Sequence, residues 1–258
     1  MAERKKYPIL IAIPHASTFV PKELKDLMLF NDFQIRKQSD LYTGEIFDVP
    51  NAYVVKAKIS RLVVDVNRAP DDIEMEYKLY HEGVVVSVDE FGEQIYKTPP
   101  DLENIFGRVE KYHEPFHKEI DELSKKAKFL IDAHSLWNIG PKMRSDTGME
   151  RADIVLGNRD YTTCSRDTTL KIYNFFKDKG FSVKINEPYS GKYILGYHCS
   201  RRGLPGMQIE INRKLYMNEK TLRPKKREIK KLRKIIIELT KVINEEIGKY
   251  ENMGNRSF

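Results

Sequence analysis

The sequence is poor in cysteine and has no long apolar run, and each absence excludes a class of protein. Its 258 residues contain 2 cysteines, Cys164 and Cys199, which is too few for a disulfide framework. Sparse cysteine is typical of the reducing cytoplasm, where we expect this protein to act. No apolar run approaches the roughly 20 residues that cross a bilayer. The N-terminal run Pro8–Ile13 is short and belongs to a strand pattern, so we expect neither a signal peptide nor a membrane partner.

The composition is that of a folded, charged domain. Hydrophobic residues make up 40% of the chain, enough for a substantial core, and charged residues make up 32%. The formal net charge of +7 permits acidic ligands, anionic membranes or nucleic acid as partners. Much of the positive excess lies in one C-terminal run, so it says little about the rest of the surface.

Apolar runs alternate with amphipathic segments, which predicts one α/β domain over residues 1–258. We find no internal repeat and no linker that demands a domain boundary. The predicted strands are Pro8–Ile13, Asn51–Ile59, Leu62–Val66, Phe129–Ile131, Ala152–Leu156, Phe181–Ile185 and Met207–Ile211. The predicted helices are Lys22–Leu29, Asp32–Gln38, Asp101–Lys126, Thr162–Lys179 and Pro224–Glu251. The polar segment Ala69–Pro100 is predicted to be an excursion or flap with a small hairpin.

The stretch Lys128–Trp137, KFLIDAHSLW, is the centre of the predicted site. Its apolar run predicts a buried strand that leads into Asp132 and His134. Ligands of open α/β sheets bind beyond the carboxyl ends of the strands. A histidine delivered there suits a metal ligand or an acid/base group, although a packed, hydrogen-bonded histidine is the simpler alternative.

Other predicted strands also end in polar side chains that could join this histidine. Two histidines and several acids can build a catalytic zinc site, which usually keeps three protein ligands and one water. Arginines nearby would bind carboxylates through their planar fork of donors. The candidate residues are His15, Arg61, Asp65, Asn67, Arg68, Asp132, His134, Asn158, Asp160 and Glu210.

A second histidine pattern lies in the long predicted helix. His113-Glu114-Pro115-Phe116-His117 matches H-E-x-x-H, which places two histidines on one helix face with a glutamate base. Pro115 removes a backbone donor and clashes with the preceding turn, at a cost of ~3 kcal/mol in a helix interior. We therefore favour a kinked helix with two partly exposed histidines over a zinc site.

Six sequence blocks together resemble the N-formylglutamate amidohydrolase family. The resemblance runs from about Pro8 to the final helix and so covers most of the chain. It implies a phosphorylase/hydrolase-like three-layer α/β fold, a mixed central sheet flanked by helices, because that family is similar to zinc carboxypeptidases and aspartoacylase. It also implies zinc-dependent attack of water on an amide carbonyl. The blocks are IPHAS (Ile13–Ser17), SRLVVDVNR (Ser60–Arg68), DAHS (Asp132–Ser135), ADIVLGNRD (Ala152–Asp160), NEPYSGKY (Asn186–Tyr193) and QIEINRKLYM (Gln208–Met217).

The resemblance also implies roles for individual residues. His15 and His134 are the expected zinc ligands, and Glu210 is the expected general base. Arg61 is expected to hold substrate and polarise its carbonyl. The remaining expected substrate-binding residues are Asn67, Arg68, Asn158 and His198.

The chain departs from the related patterns at several positions. The carboxypeptidase relatives carry a glutamate three residues after the first histidine, where this chain has Thr18. We therefore choose Asp40 as the third zinc ligand, with Glu45 and Asp65 as reserves, and expect that Asp132 could instead orient a ligand histidine. Two further departures lie in loops that could shape the pocket. His198–Ser200 reads His-Cys-Ser where family members more often have His-Tyr-Gly, and Lys192 replaces a common glycine.

The expected function is zinc-dependent hydrolysis of the amide bond of an N-acyl amino acid, with a small acidic molecule as substrate. N-formyl-L-glutamate, giving L-glutamate and formate, is the specific prediction. Another zinc deacylase or a carboxypeptidase of the same fold is the first alternative. A nucleic-acid-binding protein that uses the basic C-terminal helix is the second, although such a run is more simply a solvated helix face.

Overall fold

The computed structural model describes residues 6–73 and 83–252, and its sheet is built from six strands. The strands are β1 (Ile9–Ile13), β2 (Tyr53–Lys56), β3 (Phe129–Leu136), β4 (Ile154–Gly157), β5 (Val183–Ile185) and β6 (Gly206–Asn212). Their order is β2-β1-β3-β6-β4-β5, and every neighbouring pair is parallel except β4 and β6, which are antiparallel. The predicted mixed sheet is therefore confirmed.

Helices cover both faces of this sheet, which gives three layers. The helices are α1 (Lys22–Lys25), α2 (Asp32–Gln38), α3 (Thr43–Ile46), α4 (Leu102–Arg108), α5 (Glu114–Ser124), α6 (Arg166–Asp178) and α7 (Lys226–Asn252). Successive strand residues point to opposite faces. Ile9 and Ile11 of β1 therefore pack in one core with α6 and α7, whereas Leu10 packs in another core with Ile120 of α5.

The C-terminal helix packs as its sequence predicts. Its apolar residues recur at helical spacing and all are buried against the sheet core, which confirms the predicted packing face. They are Ile229, Leu232, Ile236, Leu239, Ile243 and Ile247. No helix within residues 6–73 and 83–252 is long and apolar enough to cross a membrane.

Two strand predictions need correction. Leu62–Val66 is a buried turn rather than a strand: Val63 N–H donates to the carbonyl of Ser60, and Asp65 N–H donates to the carbonyl of Val84. Its β-branched residues reflect burial in a loop core, which an apolar run alone cannot distinguish from a strand. The predicted strand at Phe129–Ile131 continues to Leu136, so Asp132 and His134 lie within β3 and not beyond it.

The segment Ala69–Pro100 is described in part, since residues 74–82 lie outside the described ranges. Its small predicted hairpin is present as an antiparallel bridge between Val88 and Gln94. The long predicted helix is also present, but a π-helical turn over Val109–His113 joins α4 to α5. Pro115 lies in the first turn of α5, where its missing backbone donor is tolerated.

Candidate active site

Strand register brings the central histidine and the predicted base together. His134 of β3 is the register partner of Glu210 of β6, and Asp132 is the partner of Gln208. Residues two apart on a strand share a face. All four side chains therefore project from the same side of the sheet, near the ends of two central strands.

Three buried side chains form a group that could hold a metal ion. His15 follows β1, Asp40 follows α2, and His134 lies in β3. One donor atom from each lies within 4.8 Å of the others. Asp40 Oδ2 is 3.3 Å from His134 Nδ1 and 3.8 Å from His15 Nδ1. Two imidazole nitrogens and one carboxylate oxygen are a donor set that suits zinc.

Each histidine is oriented by a carboxylate on its other nitrogen. His15 Nε2 lies 2.7 Å from Asp65 Oδ1, and His134 Nε2 lies 2.8 Å from Asp132 Oδ1. With both Nε2 atoms donating, both Nδ1 atoms keep a lone pair for a metal. His15 Nδ1 is buried and has no hydrogen-bond partner among the described residues. Burying such an atom costs free energy, which a ligand bound to Nδ1 would offset.

The pKa values of the two histidines move in opposite directions. Burial lowers the pKa of His15, with Arg61 acting in the same sense. Burial opposes protonation of His134 too, but the charge of Asp132 and its hydrogen bond raise the pKa of His134 well above its usual value. Asp132 thus favours a second proton on His134, at Nδ1. A divalent ion bound to Nδ1 would take the place of that proton.

Asp40 is held by an arginine that the sequence reasoning missed. Asp40 Oδ1 accepts from Arg213 Nη2 at 2.9 Å, and Oδ2 accepts from the backbone N–H of Ser135 at 3.2 Å. Arg213 also donates to the Lys37 carbonyl and to Ser135 Oγ. Burial alone would raise the pKa of Asp40, but His134 and Arg213 keep the carboxylate ionised. Arg213 lies in the QIEINRKLYM block, which was the only sequence signal for it.

Glu210 has the environment of a general base. Its side chain is buried, and Oε1 accepts from Gln208 Nε2 at 3.0 Å. Oε2 has no hydrogen-bond partner among the described residues. Burial raises the pKa of Glu210 to about 7, although His134 acts against this shift. A carboxyl with a pKa near neutrality and one free oxygen is suited to accept and return a proton.

A cavity of about 430 Å³ is lined by His15, Asp40, His134, Gln208, Glu210 and Arg213. Arg61 and Arg68 reach it from the turn after β2, and Arg144 and Lys192 reach it from later loops. Arg61 Nη2 lies 2.7 Å from Asp65 Oδ2, so Asp65 links this arginine to His15. Asp65, a reserve ligand in the sequence analysis, therefore orients His15, which is a candidate metal ligand.

Asn67 also lines the cavity, but protein groups occupy its amide. Nδ2 donates to Asp132 Oδ2 at 3.1 Å and lies 2.9 Å from His134 Nε2, and Oδ1 accepts from the backbone N–H of Ile194 at 2.9 Å. The geometry of Asn67 is that of a residue that orients Asp132 and, through Asp132, His134.

Other sequence candidates lie away from this cavity. Asn158 is fully buried and bonds to Thr169 Oγ1 and to Asn186. His198 lies 2.9 Å from His117 Nδ1, behind the site. Glu45, the other reserve ligand, is exposed and does not line the cavity.

Among the described residues, the two histidines of the H-E-x-x-H motif do not belong to a group of side chains that could hold a metal ion. Both histidines are buried rather than partly exposed, which corrects the sequence expectation. His113 Nε2 and His117 Nε2 each lie 2.8 Å from a backbone carbonyl oxygen, of Arg68 and Val66 respectively. These bonds explain how the two rings are buried without a metal.

Comparison with known proteins identifies the family of this chain. The N-formylglutamate amidohydrolase family matches residues 7–217. The chain belongs to this family. An N-formylglutamate deformylase of Pseudomonas putida is 24% identical over 227 residues, which is 83% of each chain.

Solved structures in the comparison share the fold. The N-formylglutamate amidohydrolase of Ralstonia eutropha JMP134 superposes with a TM-score of 0.83 at 24% identity and covers 96% of both chains. The gene product Atu2144 of Agrobacterium tumefaciens has a TM-score of 0.69 at 20% identity, over 96% of this chain and 93% of that one. The predicted three-layer α/β fold is thus confirmed.

Proposed function

We propose that this protein hydrolyses the amide bond of an N-acyl amino acid, with N-formyl-L-glutamate as substrate and L-glutamate and formate as products. The observation that carries the proposal is the unpartnered Oε2 of Glu210 in the same cavity as the two converging Nδ1 atoms of His15 and His134. The name of the Pseudomonas putida relative supports the choice of substrate.

We propose that His15 Nδ1, His134 Nδ1 and Asp40 Oδ2 hold a zinc ion. When bound, zinc supplies water acidified to a pKa near 7 and polarises the scissile carbonyl. Asp65 and Asp132 keep the two histidines in the tautomer that leaves Nδ1 unprotonated. Arg213 keeps Asp40 ionised and fixed.

Glu210 moves the proton in this proposal. Its free Oε2 accepts a proton from the attacking water, and the same oxygen returns it to the nitrogen of the leaving amine. Gln208 holds Oε1, so the carboxyl group keeps its orientation through both transfers. Burial raises the pKa of Glu210, which helps its carboxyl group to hold the proton between the two transfers.

The charges of the cavity suit an anionic substrate. We propose that Arg68 binds the carboxylate next to the scissile bond and that Arg61 holds the substrate and polarises its carbonyl. With the histidines neutral, five cationic and five anionic side chains line the cavity, and Asp132 lies behind His134. A divalent metal would leave this site with a net positive charge, which favours an anionic substrate such as N-formyl-L-glutamate. The lining charges are Arg61, Arg68, Arg144, Lys192 and Arg213 against Asp40, Asp65, Glu90, Asp146 and Glu210.

The proposed site leaves out Asn158 and His198, because both lie outside the cavity.

We further propose that residues 1–258 act as one domain, since the sheet runs from β1 to β6 and α7 packs on it. Glu90 of the 69–100 excursion lines the cavity, which supports its role as a flap. A cytoplasmic location is proposed because both cysteines are free and buried.

A substrate panel tests the proposed function. Purified zinc-loaded protein is incubated with N-formyl-L-glutamate, N-acetyl-L-glutamate, N-formyl-L-leucine and a dipeptide, and release of formate or amine is measured. Preference for N-formyl-L-glutamate supports the proposal. Preference for the acetyl compound or the dipeptide would identify another deacylase or a carboxypeptidase, and no hydrolysis of any substrate would contradict the reaction class.

A further inference from the structure

The segment of residues 66–68 is held from behind by two histidines. His117 Nε2 lies 2.8 Å from the carbonyl oxygen of Val66, and His113 Nε2 lies 2.8 Å from that of Arg68. Between these two carbonyls, the carbonyl of Asn67 accepts a hydrogen bond from the backbone N–H of Tyr193 at 3.4 Å. Three consecutive carbonyls of this segment therefore take hydrogen bonds from outside it.

The H-E-P-F-H motif supplies the spacing for these contacts. His113 and His117 are four residues apart on one helix face, and their ring centroids are 4.4 Å apart. Both rings are at most 6% exposed. The π-helical turn Val109–His113 ends at the first of them, and such turns are frequent at functional sites.

The protons on these rings follow from their partners. A carbonyl oxygen only accepts, so both Nε2 atoms carry the hydrogen. His117 Nδ1 is then an acceptor, and it lies 2.9 Å from His198 Nε2, which donates to it. Burial lowers the pKa of His117 to about 2, so this ring stays neutral and donates to the carbonyl across the working pH range.

The front of the same segment faces the proposed site. The Asn67 amide bonds to Asp132 Oδ2, and the Arg68 side chain lines the cavity. The segment has no helical or strand hydrogen bonding of its own. Its carbonyls therefore depend on hydrogen-bond donors outside the segment, and these contacts fix the positions from which its side chains project.

We propose that His113 and His117 are positioning residues that fix the 66–68 segment so that Arg68 is placed to bind the substrate carboxylate. The consequence for catalysis rests on the proposed function, whereas the consequence for the segment does not. Neither histidine touches the substrate in this account.

Substitution of His113 tests the positioning role. The His113→Phe variant keeps a ring but removes the donor, whereas His113→Gln keeps an N–H at the position of Nε2. We expect His113→Phe to raise the KM for N-formyl-L-glutamate roughly tenfold, since one hydrogen bond is lost. Its kcat and zinc content should change much less, and His113→Gln should restore most of the KM.

Hydrogen exchange measures the segment itself, whether or not the protein is active. Amide exchange in a peptide that covers residues 62–73 should speed up in His113→Phe and His117→Phe, and should stay near wild type in the two Gln variants. Ile236→Val is the matched control: it removes a buried methylene from α7, lowers Tm, and should change neither the exchange of this peptide nor KM. If a Phe variant does not fold, the Asn variant, whose side chain is too short to reach the carbonyl, takes its place.

The outcomes distinguish the positioning of the 66–68 segment from its effect on substrate binding. Unchanged exchange in the donor-less variants would overturn the positioning role. Faster exchange with an unchanged KM would overturn its link to Arg68 and the substrate. A wild-type protein that hydrolyses no N-acyl amino acid would refute the proposed function, while the exchange data would still decide the role of the histidines.

Discussion

Asp40 and Arg213 form a buried ion pair, with 2.9 Å between Oδ1 and Nη2, although 173 residues separate them in the chain. This pair joins the loop after α2 to the end of β6, and through Asp40 it reaches both histidines of the proposed metal site. Its burial makes the removal of one partner costly, since a buried charge would remain.

The Arg213→Met variant should therefore lose stability and metal affinity together. We expect the free energy of unfolding to fall by about 3–5 kcal/mol, as for other broken buried ion pairs. Chemical denaturation measures this loss. Lys214→Met is the control, because the exposed bridge of Lys214 to Glu150 should contribute less than about 1 kcal/mol. Equal losses in the two variants would argue against the structural role of Arg213.

Replacing Glu210 should stop turnover without removing the metal. In Glu210→Gln the side chain keeps its size but can no longer accept the proton, so kcat should fall by about 10²–10⁴-fold. Zinc content and Tm should stay near wild type, because Glu210 is not one of the proposed ligands. A fully active variant would remove Glu210 from the mechanism.

The pH profile should report the same carboxylate. A carboxyl group with a raised pKa is protonated below that pKa, and a protonated Glu210 cannot act as base. Its pKa of about 7 describes the metal-free site, and a bound cation would lower it. We therefore expect kcat/KM to fall on the acidic side with an apparent pKa at or below about 7. A flat profile from pH 7 to pH 4 would contradict the assignment.

The carboxylates behind the histidines should tune metal affinity. Asp65→Asn and Asp132→Asn each weaken the bond that fixes a histidine tautomer, and such changes typically cost about 10–100-fold in metal affinity. Zinc competition with a chelator measures the effect. Asp146→Asn is the control, because Asp146 pairs with Arg151 and touches neither histidine. If the three variants bind zinc equally, the orienting role is wrong.

Arg68 should act on substrate binding. The Arg68→Ala variant should raise KM for N-formyl-L-glutamate more than it lowers kcat, because the guanidinium is proposed to bind a carboxylate present in both substrate and transition state. An N-formyl amino acid amide, which lacks that carboxylate, provides the comparison: its poor hydrolysis should change little. An equal effect on both compounds would contradict the carboxylate contact.

Much of the candidate site could be predicted because β1, β3 and β6 are buried on both faces, and each contains an apolar run or alternating apolar residues. Polar residues that follow or interrupt such runs stand out, as His15, His134 and Glu210 do. Asp40 was chosen as an acid from elsewhere in the chain because Thr18 stands where the carboxypeptidase relatives have a glutamate, and the structure places Asp40 with the two histidines.

The remaining parts depend on contacts that no local pattern encodes. Arg213 meets Asp40 only through the fold, and Asn158 matches a family block yet points into the core beside α6. Leu62–Val66 has the composition of a strand but is a buried turn, because β-branched residues also suit a packed loop. The H-E-x-x-H histidines face backbone carbonyls, which periodicity cannot reveal.

Zinc-dependent turnover is the most direct test of the central claim. Protein stripped with a chelator is titrated with zinc while hydrolysis of N-formyl-L-glutamate is followed, for the wild type and for the His15→Ala, His134→Ala double variant. The account predicts that wild-type activity returns and saturates near one zinc per chain, and that the folded double variant neither binds zinc tightly nor hydrolyses the substrate. Undiminished hydrolysis in the double variant would contradict the account.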